Sequence, residues 1–213
     1  MTTLIVVRHG QSESNLSRIF AGQTETALTA LGRAQAEETA RFLDGAAIDK
    51  IYASDLSRAM NTARATTKRH GLDIIPRASL REINAGFWEG KAYLELIEQY
   101  PEYAKWRSDV INAHPEGGES VRALAARVYA EIDRIVAENR GKTVAVFTHA
   151  TPVRMLAYRW FGYSLDEKAE IPFCSNASVS IAEYQESGEF HRLVHYGYDK
   201  HLTNVTEVPK GIV

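Results

Sequence analysis

The chain has 213 residues, 45% of them hydrophobic and 24% charged, with a formal net charge of −2. That balance suits a domain able to bury a core without staples, and no global basic field argues for nucleic acid or an anionic membrane as partner. A single cysteine, Cys174, excludes an internal disulfide framework. It is expected as a small buried apolar residue in a reducing compartment. With no charged leader ahead of a long apolar segment and no apolar run of spanning length, the expectation is a cytoplasmic protein.

The first strand is expected over 3–7, an apolar run broken by Gly10. A helix follows over about 29–43, with Thr29 as N-cap, Leu31, Ala34, Phe42 and Leu43 as apolar positions, and Gly45 as its stop. A short strand over 48–53 leads to a helix over 54–70 closed by Gly71, then to a short strand over 72–75 ahead of Pro76. Gly118-Glu119-Ser120 opens a long amphipathic helix with Val121, Leu124, Val128, Ile132 and Ile135 at helical spacing. A strand over 142–148 precedes a helix over 152–161 with Pro152 in its first turn. Two alternating segments, 177–184 and 191–196, read as strands joined at Glu186-Ser187-Gly188. Strands alternating with helices argue for an α/β fold: a doubly wound, mostly parallel sheet with helices on both faces, and an antiparallel last pair at one edge.

The whole chain, 1–213, reads as one domain. The insert at about 91–117 breaks the rhythm with Tyr93, Leu94, Ile97, Tyr100, Tyr103 and Trp106. It reads first as a small helical subdomain packing on itself and second as a lid over the strand ends, and both can hold together. The tail over 198–213 could fold over a site or lie loose.

Arg8-His9-Gly10-Gln11-Ser12-Glu13-Ser14-Asn15 begins where the first strand ends, the place where open α/β sheets put their ligands. Arg presents a planar fork of donors suited to phosphate oxygens, and a neutral imidazole is a nucleophile toward phosphorus. His149 has the same placement, ending an apolar strand and opening a helix.

Four segments in order carry a resemblance. They are Arg8-His9-Gly10 with Asn15; Ser54-Asp55-Leu56-Ser57-Arg58-Ala59 with Thr62-Ala63; Leu80-Arg81-Glu82 followed by Gly86-Phe87-Trp88-Glu89-Gly90; and Phe147-Thr148-His149-Ala150. On these the sequence resembles the histidine phosphatase superfamily, which includes the cofactor-dependent phosphoglycerate mutases. The resemblance implies that His9 is the nucleophile and Glu82 the general acid. It also implies that Arg8, Arg58, Asn15 and His149 hold the phosphoryl group. Arg8 and Arg58 would hold down the His9 pKa, and some carbonyl or hydroxyl must fix its tautomer. Glu89, in a Trp-Glu-Gly turn, is read as structural. Residues 20–25 occupy the family's substrate loop, with Gly22 and Gln23 as the expected contacts. Ala150 stands where the family usually has Gly, and a helix N-terminal N–H remains there for phosphate.

No metal or other cofactor is expected: there is no cluster with ligand spacing and no glycine-rich nucleotide loop. The expected partner is a small phosphorylated metabolite, and the oligomeric state is open, a homodimer being one option. The phosphatase branch is favoured over a 2,3-bisphosphoglycerate-dependent mutase. Glu82 is followed by Ile83-Asn84-Ala85 rather than the mutases' Arg/Tyr/Gly pattern, the insert is not rich in bases, and Pro115–Ser120 also resembles that branch. A non-catalytic phosphate-binding module of the same fold is the third reading.

Overall fold

The computed structural model describes residues 1–167 and 169–206. Its centre is a six-stranded sheet: β1 (Thr2–Arg8), β2 (Lys50–Ala53), β3 (Ile74–Pro76), β4 (Thr143–Thr148), β5 (Val179–Tyr184) and β6 (Phe190–Tyr198), in the order β3-β2-β4-β1-β5-β6. The first four in that order are parallel; β5 and β6 are antiparallel. The α/β fold with its mostly parallel sheet and antiparallel edge is thus as the alternating pattern implied. Pro76, which has no N–H to give a ladder, lies within β3, and β3 is the outermost strand.

Alternate residues of β1 and β4 face opposite layers. Leu4, Val6, Val144 and Val146 pack with α6 (Val121–Glu138) and α7 (Ala150–Trp160), whereas Ile5, Val7, Ala145 and Phe147 face α2 (Ala30–Phe42) and α3 (Ser57–His70). Thr29 caps α2, accepting from the Gly32 N–H, and Ser120 caps α6, accepting from the Ala123 N–H. Helix α7 begins at Ala150, two residues before the expected start, because Pro152 is tolerated within a first turn whose N–H groups have no partners. Helix α3 begins at Ser57 rather than 54, since Ser54-Asp55-Leu56 forms a turn in which the Ser54 hydroxyl accepts from the Leu56 N–H.

After the short α1 (Glu13–Leu16), the insert forms α4 (Tyr93–Gln99) and α5 (Pro101–Ser108). Its Leu96, Tyr103 and Trp106 join the same apolar cluster as Leu4 and Val6. Phe20, Trp88, Tyr103 and Trp106 pack ring to ring, with centroids 5.2–6.4 Å apart. The tail is stitched down as far as Thr206, through Gln35 Nε2 donating to the Asn204 carbonyl and the Thr206 hydroxyl donating to Asn176; 207–213 lie outside the described residues.

Candidate active site

Strands β1 and β4 are neighbours, yet the chain leaves β1 for α2 on one face and β4 for α7 on the other. Their ends diverge at a switch point of the winding, and a crevice opens there. His9 follows β1 and His149 follows β4; their ring centroids are 5.1 Å apart, and both side chains are buried.

The turn after His9 is possible only with glycine. A Cβ on Gly10 would stand 2.4 Å from the Gly32 carbonyl oxygen in the first turn of α2. The Gly10 N–H donates to the Thr62 hydroxyl at 3.0 Å, and that hydroxyl donates to the Arg58 carbonyl at 2.8 Å, so the loop and α3 are tied together. His9 Nδ1 lies 2.7 Å from the Gly10 carbonyl oxygen. A carbonyl only accepts, so Nδ1 carries the proton and Nε2 keeps its lone pair. Burial first, then the guanidinium groups of Arg58 and Arg8, pushes the His9 pKa well below its usual value, against the bond to Gly10. The imidazole is therefore neutral at neutral pH.

Arg58 is 1% exposed and donates to the carbonyls of Gly22 (2.7 Å) and Thr24 (3.0 Å). Arg8 donates to the Cys174 carbonyl, and its Nε is buried with no acceptor among the described residues. Burial lowers both guanidinium pKa values from a starting point so high that the groups stay cationic. Asn15 Oδ1 accepts from the Ser12 N–H (3.1 Å), the Ser12 hydroxyl (3.0 Å) and Asn176 Nδ2 (3.1 Å), which leaves the Asn15 amide N–H groups as donors. Asn176 Nδ2 also reaches the His9 carbonyl at 3.0 Å.

His149 Nε2 lies 2.8 Å from the Ser54 hydroxyl, while Nδ1 is buried and unpartnered. Donation from the Ser54 hydroxyl, whose oxygen also accepts from the Leu56 N–H, to Nε2 would place the ring proton on Nδ1. Burial and then Arg58 lower its pKa well below the usual value.

Both Glu82 carboxyl oxygens meet backbone N–H groups: Oε1 accepts from Ile83 at 2.8 Å and Oε2 from Thr151, in the first turn of α7, at 3.3 Å. The Glu82 carbonyl is held by Gln23 Nε2 (3.1 Å) and Arg127 (2.9 Å). Arg127 also donates to the Ser79 and Arg81 carbonyls and forks onto Glu119.

These groups open onto a cavity of about 1150 Å³. Arg8, His9, Asn15, Gly22, Arg58, Glu82 and Ala150 line it, and the insert supplies one wall through Tyr93 and Trp106. Helix α7 and the segment after it add Arg154, Tyr158, Ile171 and Phe173 to the lining. His149, expected to hold the phosphoryl group, is fully buried with its ring against that of His9 and is not among the lining residues. Gln23, expected as a substrate contact, is not among the lining residues either. Its N–H donates to Glu89 at 2.8 Å and its side-chain amide is spent on the Glu82 carbonyl, so it braces the acid's backbone. Gly22 carries φ +51°, and a Cβ there would stand 2.3 Å from Glu89 Oε1. Glu89 accepts from the Gln23 and Ala85 N–H groups and the Thr24 hydroxyl, in keeping with a structural carboxylate.

Sequence reasoning missed Ser54, Asn176 and Arg127 as parts of this assembly. Ser54 stood within a recognised segment, without a role. Asn176 and Arg127 carry no local signal, because they arrive from before β5 and from mid-α6. Among the described residues no cluster of three or more His, Cys, Asp or Glu side chains is placed to hold a metal ion, and no helix is long and apolar enough to cross a membrane.

The family model of the histidine phosphatase superfamily (branch 1) matches residues 4–196. Phosphoserine phosphatase 1 of Hydrogenobacter thermophilus is 30% identical over 187 residues, covering 87% of this chain and 88% of that protein. The probable phosphoglycerate mutase GpmB of Yersinia enterocolitica is 31% identical over 191 residues, covering 88% and 87%. The solved structure of mycobacterial glucosyl-3-phosphoglycerate phosphatase Rv2419c, complexed with VO3, superposes with a TM-score of 0.84 at 26% identity, covering 92% of this chain and 99% of that one.

Proposed function

We propose that this chain, which belongs to the histidine phosphatase superfamily, is a metal-independent phosphomonoester hydrolase working through a phosphohistidine on His9. Membership places its chemistry with the phosphatases and phosphoglycerate mutase-like enzymes. The observation that carries the reading is the state of His9: Nδ1–H tied to the Gly10 carbonyl, Nε2 with a free lone pair, and two guanidinium groups beside it.

In the first step Nε2 attacks phosphorus and the ester P–O bond breaks. Glu82 gives its proton to the departing oxygen, a contribution of roughly a hundredfold to ten-thousandfold for such an acid. Arg8, Arg58 and the Asn15 amide donate to the non-bridging oxygens, where charge builds, while the neutral His149 ring packs against that of His9. In the second step a water gives its proton to the Glu82 carboxylate and attacks phosphorus. The P–N bond breaks, its electron pair returns to Nε2, and inorganic phosphate leaves.

Hydrolysis is favoured over transfer back to a substrate by the Ile83-Asn84-Ala85 run that follows Glu82 and by an insert whose bases do not outnumber its acids. Relatives named for phosphoserine and glucosyl-3-phosphoglycerate support a small phosphorylated metabolite as substrate. The mutase is the second reading, favoured by the relative named as one. The deciding experiment pairs phosphate release from p-nitrophenyl phosphate, with chelator present, against 3-phosphoglycerate to 2-phosphoglycerate conversion primed with bisphosphoglycerate. Steady release with little interconversion is expected. Interconversion without release would assign the mutase, and neither activity would leave the binding module.

A further inference from the structure

Beyond the phosphate cradle the cavity wall holds hydrogen-bond donors that the chain does not satisfy. Arg154 lies on α7 one turn past Thr151 and lines the cavity. Its guanidinium carbon sits 4.5 Å from the Phe173 ring centroid, and its Nε is buried without an acceptor. No carboxylate among the described residues pairs with it, whereas Arg159 on the same helix holds Asp133 at 2.7 Å. On the insert's wall, Trp106 is 2% exposed and its indole N–H is likewise buried without an acceptor. Acids near this end are engaged elsewhere or turned to solvent. Asp166 is held by Arg122, Asp109 by Asn112 and Glu167 by the Ser164 N–H, while Glu170 is exposed.

Buried donors are nearly always paired in folded proteins, because leaving one unmade forfeits its desolvation cost. Both residues line one cavity, where a ligand can bring an acceptor that the chain does not supply. Resting on the phosphomonoesterase reading, we propose that Arg154 and Trp106 form a second oxyanion subsite, so that the preferred substrate is a phosphomonoester carrying a further anionic group. A carboxylate fits best, because its two oxygens match the edge of a guanidinium whose face is covered by Phe173. Specificity then comes from a site that leaves buried donors unpaired when the second anion is missing.

The test uses matched substrate pairs that differ by one carboxylate: 4-carboxyphenyl phosphate against phenyl phosphate, and O-phosphoserine against O-phosphoethanolamine. In the wild-type protein at least one carboxylated member should exceed its partner in kcat/KM by about tenfold or more. R154L should reduce kcat/KM for that member by about 10- to 100-fold, as loss of a charge-assisted hydrogen bond does, and leave its neutral partner within about threefold. R154K, which keeps the charge without the fork, should fall between. W106F, which keeps the ring and removes the N–H, should cost about 3- to 10-fold on the carboxylated member alone. Turnover of all four substrates without preference, or an equal loss on both members of a pair in R154L and W106F, would overturn the subsite and leave the phosphatase standing. No turnover of any of them by the wild-type protein would overturn the phosphatase reading itself.

Discussion

His9 and His149 are buried as neutral imidazoles among arginines, and this gives stability a definite pH dependence. An unfolded histidine titrates near 6.5, whereas these two stay unprotonated well below that when folded. Above about 6.5 neither state binds the proton, so the folded state has its full advantage. As the pH falls below that point the unfolded state gains protons that the folded state refuses, and stability is lost by up to about 1.4 kcal/mol per pH unit for each imidazole. Asp55 and Glu183, lowered by Arg81 and Arg192, act in the same direction but only as the pH nears about 4. Urea midpoints between about pH 7.5 and 5 should therefore fall steeply for the wild-type protein and less steeply for His9→Gln and His149→Gln. Equal slopes in all three would contradict the buried neutral pair. At this scale the residues that bring their own chemistry were readable from the sequence, and Arg8, His9, Arg58 and Glu82 do meet in one crevice. What holds them was not readable. Any carbonyl could have fixed the His9 tautomer, and that it is Gly10 follows from how tightly the loop turns against Gly32.

The elements do the positioning. Glu82 belongs to a segment without regular structure, yet its backbone is clamped by Arg127 from α6 and Gln23 from the loop after α1, and its carboxyl is met by the first turn of α7. Arg127 touches no part of the cavity, so its removal should act through placement of the acid. Arg127→Leu is expected to lower kcat by about 10- to 100-fold with KM within about threefold, at a stability cost of about 1–3 kcal/mol for the carbonyls and carboxylate left unpaired. Arg127→Lys should restore part of kcat. A rise in KM with kcat unchanged would show that Arg127 shapes binding instead. Helix types and caps, such as Thr29 and Ser120, were readable because they follow from local chemistry. Starts at 54 and 152 were displaced by two or three residues, because a Ser turn and a first-turn Pro imitate helix beginnings. The aromatic insert was readable as helical. That Trp106 packs into the main core while also walling the cavity depends on contacts with Phe20 and Trp88 that no local pattern encodes.

At the scale of the molecule, alternating strands and helices announced a doubly wound sheet, but not the placing of β4 between β1 and β2. Parallel strands pair across long separations, so their order leaves little trace in local sequence. That order is what makes the site: with β4 beside β1 and their helices on opposite faces, His9 and His149 come within 5.1 Å. The central claim, a phosphoryl group carried on His9, is tested most directly by trapping the enzyme during turnover of an aryl phosphate and weighing the intact protein and its peptides. One phosphoryl group on His9, stable to alkali, lost in acid and absent from His9→Asn, is the predicted result. An adduct on another residue, or sustained turnover by His9→Asn, would contradict it.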